Sequence, residues 1–178
     1  MPARDADGNI NIVVEIPAGT QAKWEVEKES GDLVWERKNG DYRVVQYLGY
    51  PGNYGMVPQT LLDKAEGGDG DPLDVILLGA AVERGSVVPA KLVGVLRLLD
   101  GGEQDDKLIA VPAEGPFSEA EELEEVKAKY GGALEIVELW FSNYKGPGEM
   151  ESKGFGDRAA AEAILKVAHI AYQAAENK

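Results

Sequence analysis

The chain has 178 residues, with 18 Lys+Arg against 32 Asp+Glu, a formal charge of −14, one His and no Cys. That length favours one domain over residues 1–178 with a core that needs no covalent staples. The missing Cys excludes disulfide frameworks and thiolate metal centres, the single His excludes a multi-His metal site, and the acid surplus argues against a nucleic-acid binder while suiting a collector of cations. No basic leader precedes an apolar run, and no apolar stretch approaches the ~18 residues of a membrane span, so the expected setting is the cytoplasm. The 22 Gly and 9 Pro imply frequent turns, hence short strands more than a helical bundle.

The first third reads as strands. Ile10, Ile12, Val14 and Ile16 share one face by the two-residue period, which turns Glu15 the other way. Lys23-Trp24-Glu25-Val26-Glu27 alternates, with Trp24 and Val26 inward and Lys23 and Glu25 together on the opposite face. Ser30-Gly31 signals a turn into a returning strand at 33–37, and Asn39-Gly40 a second turn into a strand at 41–47. The loop at 67–72 cannot be a helix interior, because its glycines and Pro72 oppose one. A buried strand follows at 73–78, then a long apolar strand at 87–99 bent by Pro89 and Gly94. Gly101-Gly102 turns the chain into a hairpin completed by 107–111, which places Asp100 and Asp105 at its mouth and Asp105 on the same side as Lys107.

The last third is helical. Ser118 and Glu121 form a capping-box signature, with Leu123, Val126 and Tyr130 at helical spacing and Gly131 as a stop. A shorter helix is predicted over 134–144. A third covers 157–175, with Ile164, Val167, Ala168 and Ala171 on one stripe and His169 in a structural or surface role. Strands first and helices after define an α+β chain, a small barrel or sheet with helices packed outside it.

The sharpest chemical feature is Asp69-Gly70-Asp71-Pro72-Leu73-Asp74. Three carboxylates in six residues repel one another by up to ~4 kcal/mol per close pair at an effective dielectric near 20, so they splay into water or a cation holds them. Carboxylate oxygens suit Mg²⁺, and a solvated acidic turn is the bland alternative. An EF-hand loop fails, because Ala80 stands where its bidentate Glu belongs. Tyr50-Pro51-Gly52-Asn53-Tyr54-Gly55 and Tyr144-Lys145 either pack rings into turns or present hydroxyls to a ligand. No complete phosphate-binding or dinucleotide-binding glycine loop is present.

In their order along residues 10–145 these pieces resemble the soluble inorganic pyrophosphatases of family I, of prokaryotic size. The aspartate signature at 69–74 carries most of the likeness. Val14-Glu15-Ile16-Pro17, Lys23-Trp24-Glu25, Lys28-Glu29-Ser30-Gly31, Arg37 and the Tyr50–Gly55 segment precede it; Asp100, Asp105-Asp106-Lys107-Leu108, Val111-Pro112 and Tyr144-Lys145 follow. The resemblance implies an OB-like five-stranded β-barrel with two main helices outside, and hydrolysis of pyrophosphate with several Mg²⁺ ions by a homohexamer. It implies Glu15, Glu25, Asp69, Asp74, Asp100 and Asp105 as metal ligands and Asp71 as general base. Lys23, Arg37, Tyr54, Lys107, Tyr144 and Lys145 would grip the phosphates. The chain departs from the family pattern in Trp24, where Tyr is common, in the longer stretch between Arg37 and Tyr50, and in Gly146-Pro147-Gly148.

The implied set suits the reaction. Pyrophosphate needs its charge neutralised and a water activated, and metal-bound water supplies hydroxide near neutral pH without a His or Cys nucleophile. Seven carboxylates against Lys23, Arg37, Lys107 and Lys145 leave a negative site, so metal and substrate should bind cooperatively. A phosphatase acting on organic phosphates or polyphosphate, and a metal-binding barrel without catalysis, are the competing readings.

Overall fold

The computed structural model describes residues 1–28, 30–64 and 68–177. Glu29 and Gly67, both within segments read above, lie outside the described residues. Five strands close into a ring: β1 (Ile10–Ile16), β6 (Asn53–Val57), β7 (Leu73–Leu77), β10 (Lys107–Pro112) and β8 (Val87–Asp100), with β8 pairing back onto β1. The β7–β10 pair is parallel and the others are antiparallel, so the barrel is mixed. β8 is the organising strand. Its first residues pair with β1, its middle with β10, and its end with β11 (Met150–Gly156) and the short β9 (Glu103–Gln104).

The ring strands read as near-continuous apolar runs because both their faces are covered. Val75, Leu77, Leu108 and Ala110 enter one cluster with Ala161, Leu165 and Ala168 of α3 (Arg158–Glu176). Their neighbours Ile76, Ile109 and Val111 enter another, with Leu134, Val137, Trp140 and Phe141 of α2 (Ala133–Asn143). β1 contributes to both. Ile10, Ile12 and Val14 belong with α3, but a register shift between Val14 and Ile16 sends Ile16 to the other cluster. The single face read over 10–16 is therefore broken by a bulge-like irregularity. A Cβ on Gly55 would lie 1.9 Å from the Val13 carbonyl oxygen, so only glycine lets β6 cross β1 at this distance.

A flap lies across one end of the ring. β2 (Trp24–Val26) pairs with β3 (Leu33–Trp35), and β4 (Arg37–Lys38) pairs with β5 (Asp41–Tyr42) around Asn39-Gly40. Both turn residues have positive φ, 56° and 91°, the two-residue turn that matches strand twist. The strand expected over 41–47 is therefore only Asp41–Tyr42. Beyond it an isolated bridge, Ala22 to Val44, and backbone bonds of Arg43 to Glu36 and Val45 to Gln21 hold the chain.

The helices also differ in detail from the sequence reading. The helix expected to begin at Ser118 is α1 (Leu123–Lys129), capped at Glu122 without a side-chain bond. Lys91 of β8 pairs with the Glu121 carboxylate and bonds the Ser118 backbone carbonyl at 2.5 Å, so the glutamate of the expected capping box is engaged elsewhere. On α3 the buried stripe is Ala161, Leu165 and Ala168, while Val167 is 65% exposed. The small alanines let the helix approach β8, which rotates the predicted stripe. Asp157 caps α3, accepting from the Ala160 N–H at 2.8 Å.

Candidate active site

The register of the barrel assembles a polar cavity of about 660 Å³ at the flap end. The parallel pairing that sets Leu108 opposite Val75 brings Lys107, at the start of β10, beside Asp74, at the start of β7. The C-terminal end of β8 delivers Asp100 to the same rim, and the hairpin returns through Asp105. β1 supplies Glu15, turned inward at its irregularity, and the flap supplies Lys23, Glu25, Glu27, Lys28 and Arg43. Tyr144 and Lys145, just beyond α2, close the wall opposite the aspartate loop that carries Asp69 and Asp71. The aspartates of the 69–74 signature and those bordering the late hairpin, far apart in sequence, thus line one cavity.

Local bonding explains how the aspartate loop holds its shape. Asp69 accepts the Asp71 N–H at 2.8 Å through its side chain. The Gly70 N–H donates to the Leu62 carbonyl and the Leu62 N–H to the Asp71 carbonyl, each at 2.8 Å. Thr60 Oγ1 accepts the Leu73 N–H at 2.9 Å where the loop enters β7. The Tyr50–Gly55 segment has both characters that its sequence allows. Asn53 is buried and clamps the backbone of Ala18, Ala80 and Val82, and Tyr50 packs 4.5 Å from the Trp140 ring. Tyr54 presents its hydroxyl to Asp74.

At the centre is a buried lysine. Lys107 donates to Asp74 Oδ2 at 2.5 Å and to Asp105 Oδ1 at 2.6 Å. Burial alone would pull its ammonium below the ordinary lysine value, but Asp74 and Asp105 outweigh burial and hold it above. The two carboxylates diverge. Burial disfavours the charge on both, yet Lys107, Lys23 and the Tyr54 hydroxyl bring Asp74 below the ordinary aspartate value, while burial still dominates at Asp105 and raises it. Glu15 is 6% exposed and is pushed up to about 7 by burial, against the opposing pull of the Val26 N–H, which donates to Oε1 at 2.7 Å. Burial, then Glu36, raises Glu25. Burial holds the Tyr54 and Tyr144 hydroxyls protonated, as donors.

Lysines span the remaining acids, Lys28 with Asp71 and Lys145 with Asp100. Among the described residues no three acidic side chains close around a single point. The donor set nevertheless fits hard divalent cations. It consists of carboxylate oxygens without sulfur or imidazole, and it includes a buried Glu15 that no cationic side chain among the described residues meets within hydrogen-bond distance.

Twelve of the thirteen residues picked out from the sequence line this cavity, and Arg37 does not. Arg37 is exposed on the β4–β5 hairpin, its guanidinium 4.1 Å from the Tyr42 ring centroid and bonded to the Gly40 carbonyl at 3.2 Å. Arg43 lines the cavity in its place, gripped by Glu36 at 2.7 and 2.9 Å. The sequence carried a signal for it. A two-residue turn at Asn39-Gly40 returns the chain so that the Arg43 N–H donates to the Glu36 carbonyl at 2.8 Å, next to Lys23. Lys28 and Tyr50, which lie in the quoted motifs without an assigned role, and Glu27 are further lining residues.

A closed mixed five-stranded barrel whose rim gathers carboxylates with lysines, an arginine and tyrosines is an α+β scaffold whose side chains suit divalent cations and phosphate oxygens. The chain belongs to the inorganic pyrophosphatase family, whose profile matches residues 12–173. It is 36% identical over 177 residues to an inorganic pyrophosphatase of Helicobacter pylori, covering 96% of this chain and 95% of that one. It is 37% identical over 157 residues to a mitochondrial inorganic pyrophosphatase of Saccharomyces cerevisiae, and there it spans 51% of the relative's length. With the Kluyveromyces lactis relative the figure is 56%, so the chain spans about half the length of these yeast relatives. Among solved structures it is similar to the Helicobacter pylori enzyme, with a TM-score of 0.81 and 35% identity over 97% of this chain and 98% of that one. It is also similar to a type I inorganic pyrophosphatase from Toxoplasma gondii, with a TM-score of 0.91 and 31% identity over 97% and 85%. No helix among the described residues is long and apolar enough to cross a membrane.

Proposed function

We propose that residues 1–178 form a single inorganic pyrophosphatase domain that hydrolyses pyrophosphate to two orthophosphates with Mg²⁺. One observation carries this reading: carboxylates and cationic side chains meet in one cavity, where Lys107 touches both Asp74 and Asp105. Carboxylates alone would suit a metal and cations alone an anion, whereas the mixture suits a metal-bound polyanion. Several divalent ions, when bound, supply charge neutralisation and a water of lowered pKa.

The residues divide the remaining work. Glu15, Glu25, Asp69, Asp74, Asp100 and Asp105 would hold the ions. Asp71, half-buried on its loop, takes the proton of the attacking water as general base. Lys23, Arg43, Lys107 and Lys145 grip phosphoryl oxygens. Arg43 takes the place that the resemblance assigned to Arg37, because Arg43 faces the cavity with its planar fork already oriented by Glu36. The Tyr54 and Tyr144 hydroxyls donate hydrogen bonds without adding charge. The family membership and the near-full-length match to a bacterial relative support a cytoplasmic homohexamer. Exposed Leu48, Ile136 and Leu139, beside and along α2, offer apolar surface for subunit contact. Size-exclusion chromatography with light scattering tests that assembly.

The deciding experiment is phosphate release with and without Mg²⁺ on pyrophosphate, ATP and a phosphomonoester. Mg²⁺-dependent release from pyrophosphate far above the other two supports the reading; preference for an organic phosphate refutes it. Asp71→Asn should lower turnover by about 10²–10⁴, the usual worth of a positioned base, while Mg²⁺ titration stays near wild type.

A further inference from the structure

We propose that Arg84 is a positioning residue for this cavity: its guanidinium, stacked on Trp24 and bonded to the backbone of Glu15, braces the flap that carries Lys23, Glu25 and Arg43. The proposal rests on the pyrophosphatase reading above for its kinetic consequence and on geometry for the brace itself.

The geometry is a ladder of rings on the side of the flap away from the cavity. The Arg84 guanidinium carbon lies 4.5 Å from the Trp24 ring centroid. Trp24 stacks on Trp35, its cross-strand partner, with centroids 5.7 Å apart and planes 19° from parallel. Trp35 stacks on Tyr42 at 4.5 Å and 27°, and the Arg37 guanidinium caps the far end at 4.1 Å. The stack runs Arg84, Trp24, Trp35, Tyr42, Arg37, and none of the five lines the cavity. Trp24, which departs from the family's common Tyr, supplies the larger face for the cation.

Each rung connects to a residue on the cavity side. Arg84 Nε donates to the Glu15 carbonyl at 3.0 Å, so the cation that holds Trp24 also holds the strand carrying Glu15. The Trp35 indole N–H donates to the Arg43 carbonyl at 2.9 Å. Trp24 lies between Lys23 and Glu25, which face the other way by the two-residue period. A second tie of the flap to this part of β1 is the Val26 N–H on the Glu15 carboxylate. A divalent ion would compete for that carboxylate, whereas the Arg84 contact uses the Glu15 carbonyl and the Trp24 ring and does not depend on it.

The test compares wild type with Arg84→Met, Arg84→Lys and Trp24→Phe in the full chain. Hydrogen exchange of the metal-free proteins is read at the flap amides of Lys23, Val26, Glu36 and Arg43 and at the barrel amides of Val75 and Ile109. Arg84→Met should speed flap exchange and raise KM for pyrophosphate at saturating Mg²⁺, each by about tenfold, the size of a part-exposed cation–π contact together with the lost bond to the Glu15 carbonyl. The barrel amides should stay protected, and kcat should change by less than about twofold, because no group touching substrate is lost. Arg84→Lys keeps a cation over the ring and should restore most of both effects; Trp24→Phe keeps a smaller face and should fall between. Unchanged flap exchange in Arg84→Met overturns the brace, as does faster exchange spread evenly over flap and barrel. A wild-type chain inactive on pyrophosphate refutes the proposed function instead, and the exchange pattern then decides the brace alone.

Discussion

Glu15→Gln in the metal-free protein should stabilise the fold at pH 8, and by an amount that the structure specifies. The carboxyl is 6% exposed, accepts the Val26 N–H, and faces Asp74 and Glu25 with Lys23 the cation acting on it. Its folded pKa of about 7 lies above the ordinary 4.5 because burial penalises the charged form. A raised folded pKa means that the native state binds the proton more tightly than the unfolded chain. The neutral form's stability is then fully present below pH 4.5 and is lost as pH rises through about 7. Across that interval the ionised side chain costs about 3 kcal/mol, at 1.36 kcal/mol per pH unit. Glutamine keeps the Val26 bond and never ionises. Urea denaturation in EDTA should therefore show Glu15→Gln more stable than wild type by about 3 kcal/mol at pH 8, with the two converging by pH 4.5. Saturating Mg²⁺ should reverse the order, because the wild-type carboxylate gains a cation. A variant less stable than wild type at pH 8, or a difference independent of pH, would refute the reasoning.

Three other substitutions probe other links. Arg43→Lys should raise KM for pyrophosphate by about tenfold or more through loss of the planar fork, while the same change at Arg37, outside the cavity, leaves KM close to wild type; steady-state kinetics decides between them. Lys107→Met leaves Asp74 and Asp105 without their shared ammonium and should destabilise the metal-free protein by about 3–5 kcal/mol at pH 8, less at pH 4, measured by denaturant titration. In Gly94→Ala the new Cβ would lie 2.4 Å from Leu123 Cδ1 and 2.7 Å from the Gly156 carbonyl oxygen. The side chain can move but the backbone cannot do so freely, so a loss of about 1–3 kcal/mol is expected in the same titration.

The chemistry was legible where it is local. Asp69 to Asp74 declares its character within six residues, and Asp105 and Lys107 share a side because an extended chain alternates. The flap was read less well. The Asn39-Gly40 turn was recognised, but the strand expected beyond it ends at Tyr42. Arg43 is missed because the resemblance assigns Arg37; the Asn39-Gly40 turn brackets its position, and the hairpin's register places it. Ser118 and Glu121 have the right spacing for a cap, yet Lys91, distant in sequence, takes the Glu121 carboxylate. Local preference of this kind yields whenever a tertiary partner offers the same groups a charge-assisted bond.

Patterns of short range needed no coordinates: alternation in the strands, the 3.6-residue period in the helices, turn residues, and an acid-rich loop beside scattered basic and phenolic side chains. These follow from steric and solvation rules that act over a few residues. Which of the charged groups meet was settled by contacts between distant segments. The parallel register that sets Lys107 beside Asp74, the irregularity at Glu15, and the hairpin that exchanges Arg37 for Arg43 are each set by packing across the barrel. A shift of one residue in such a pairing reverses every side chain it carries, and nothing in the local chemistry of a strand reports its partner's register.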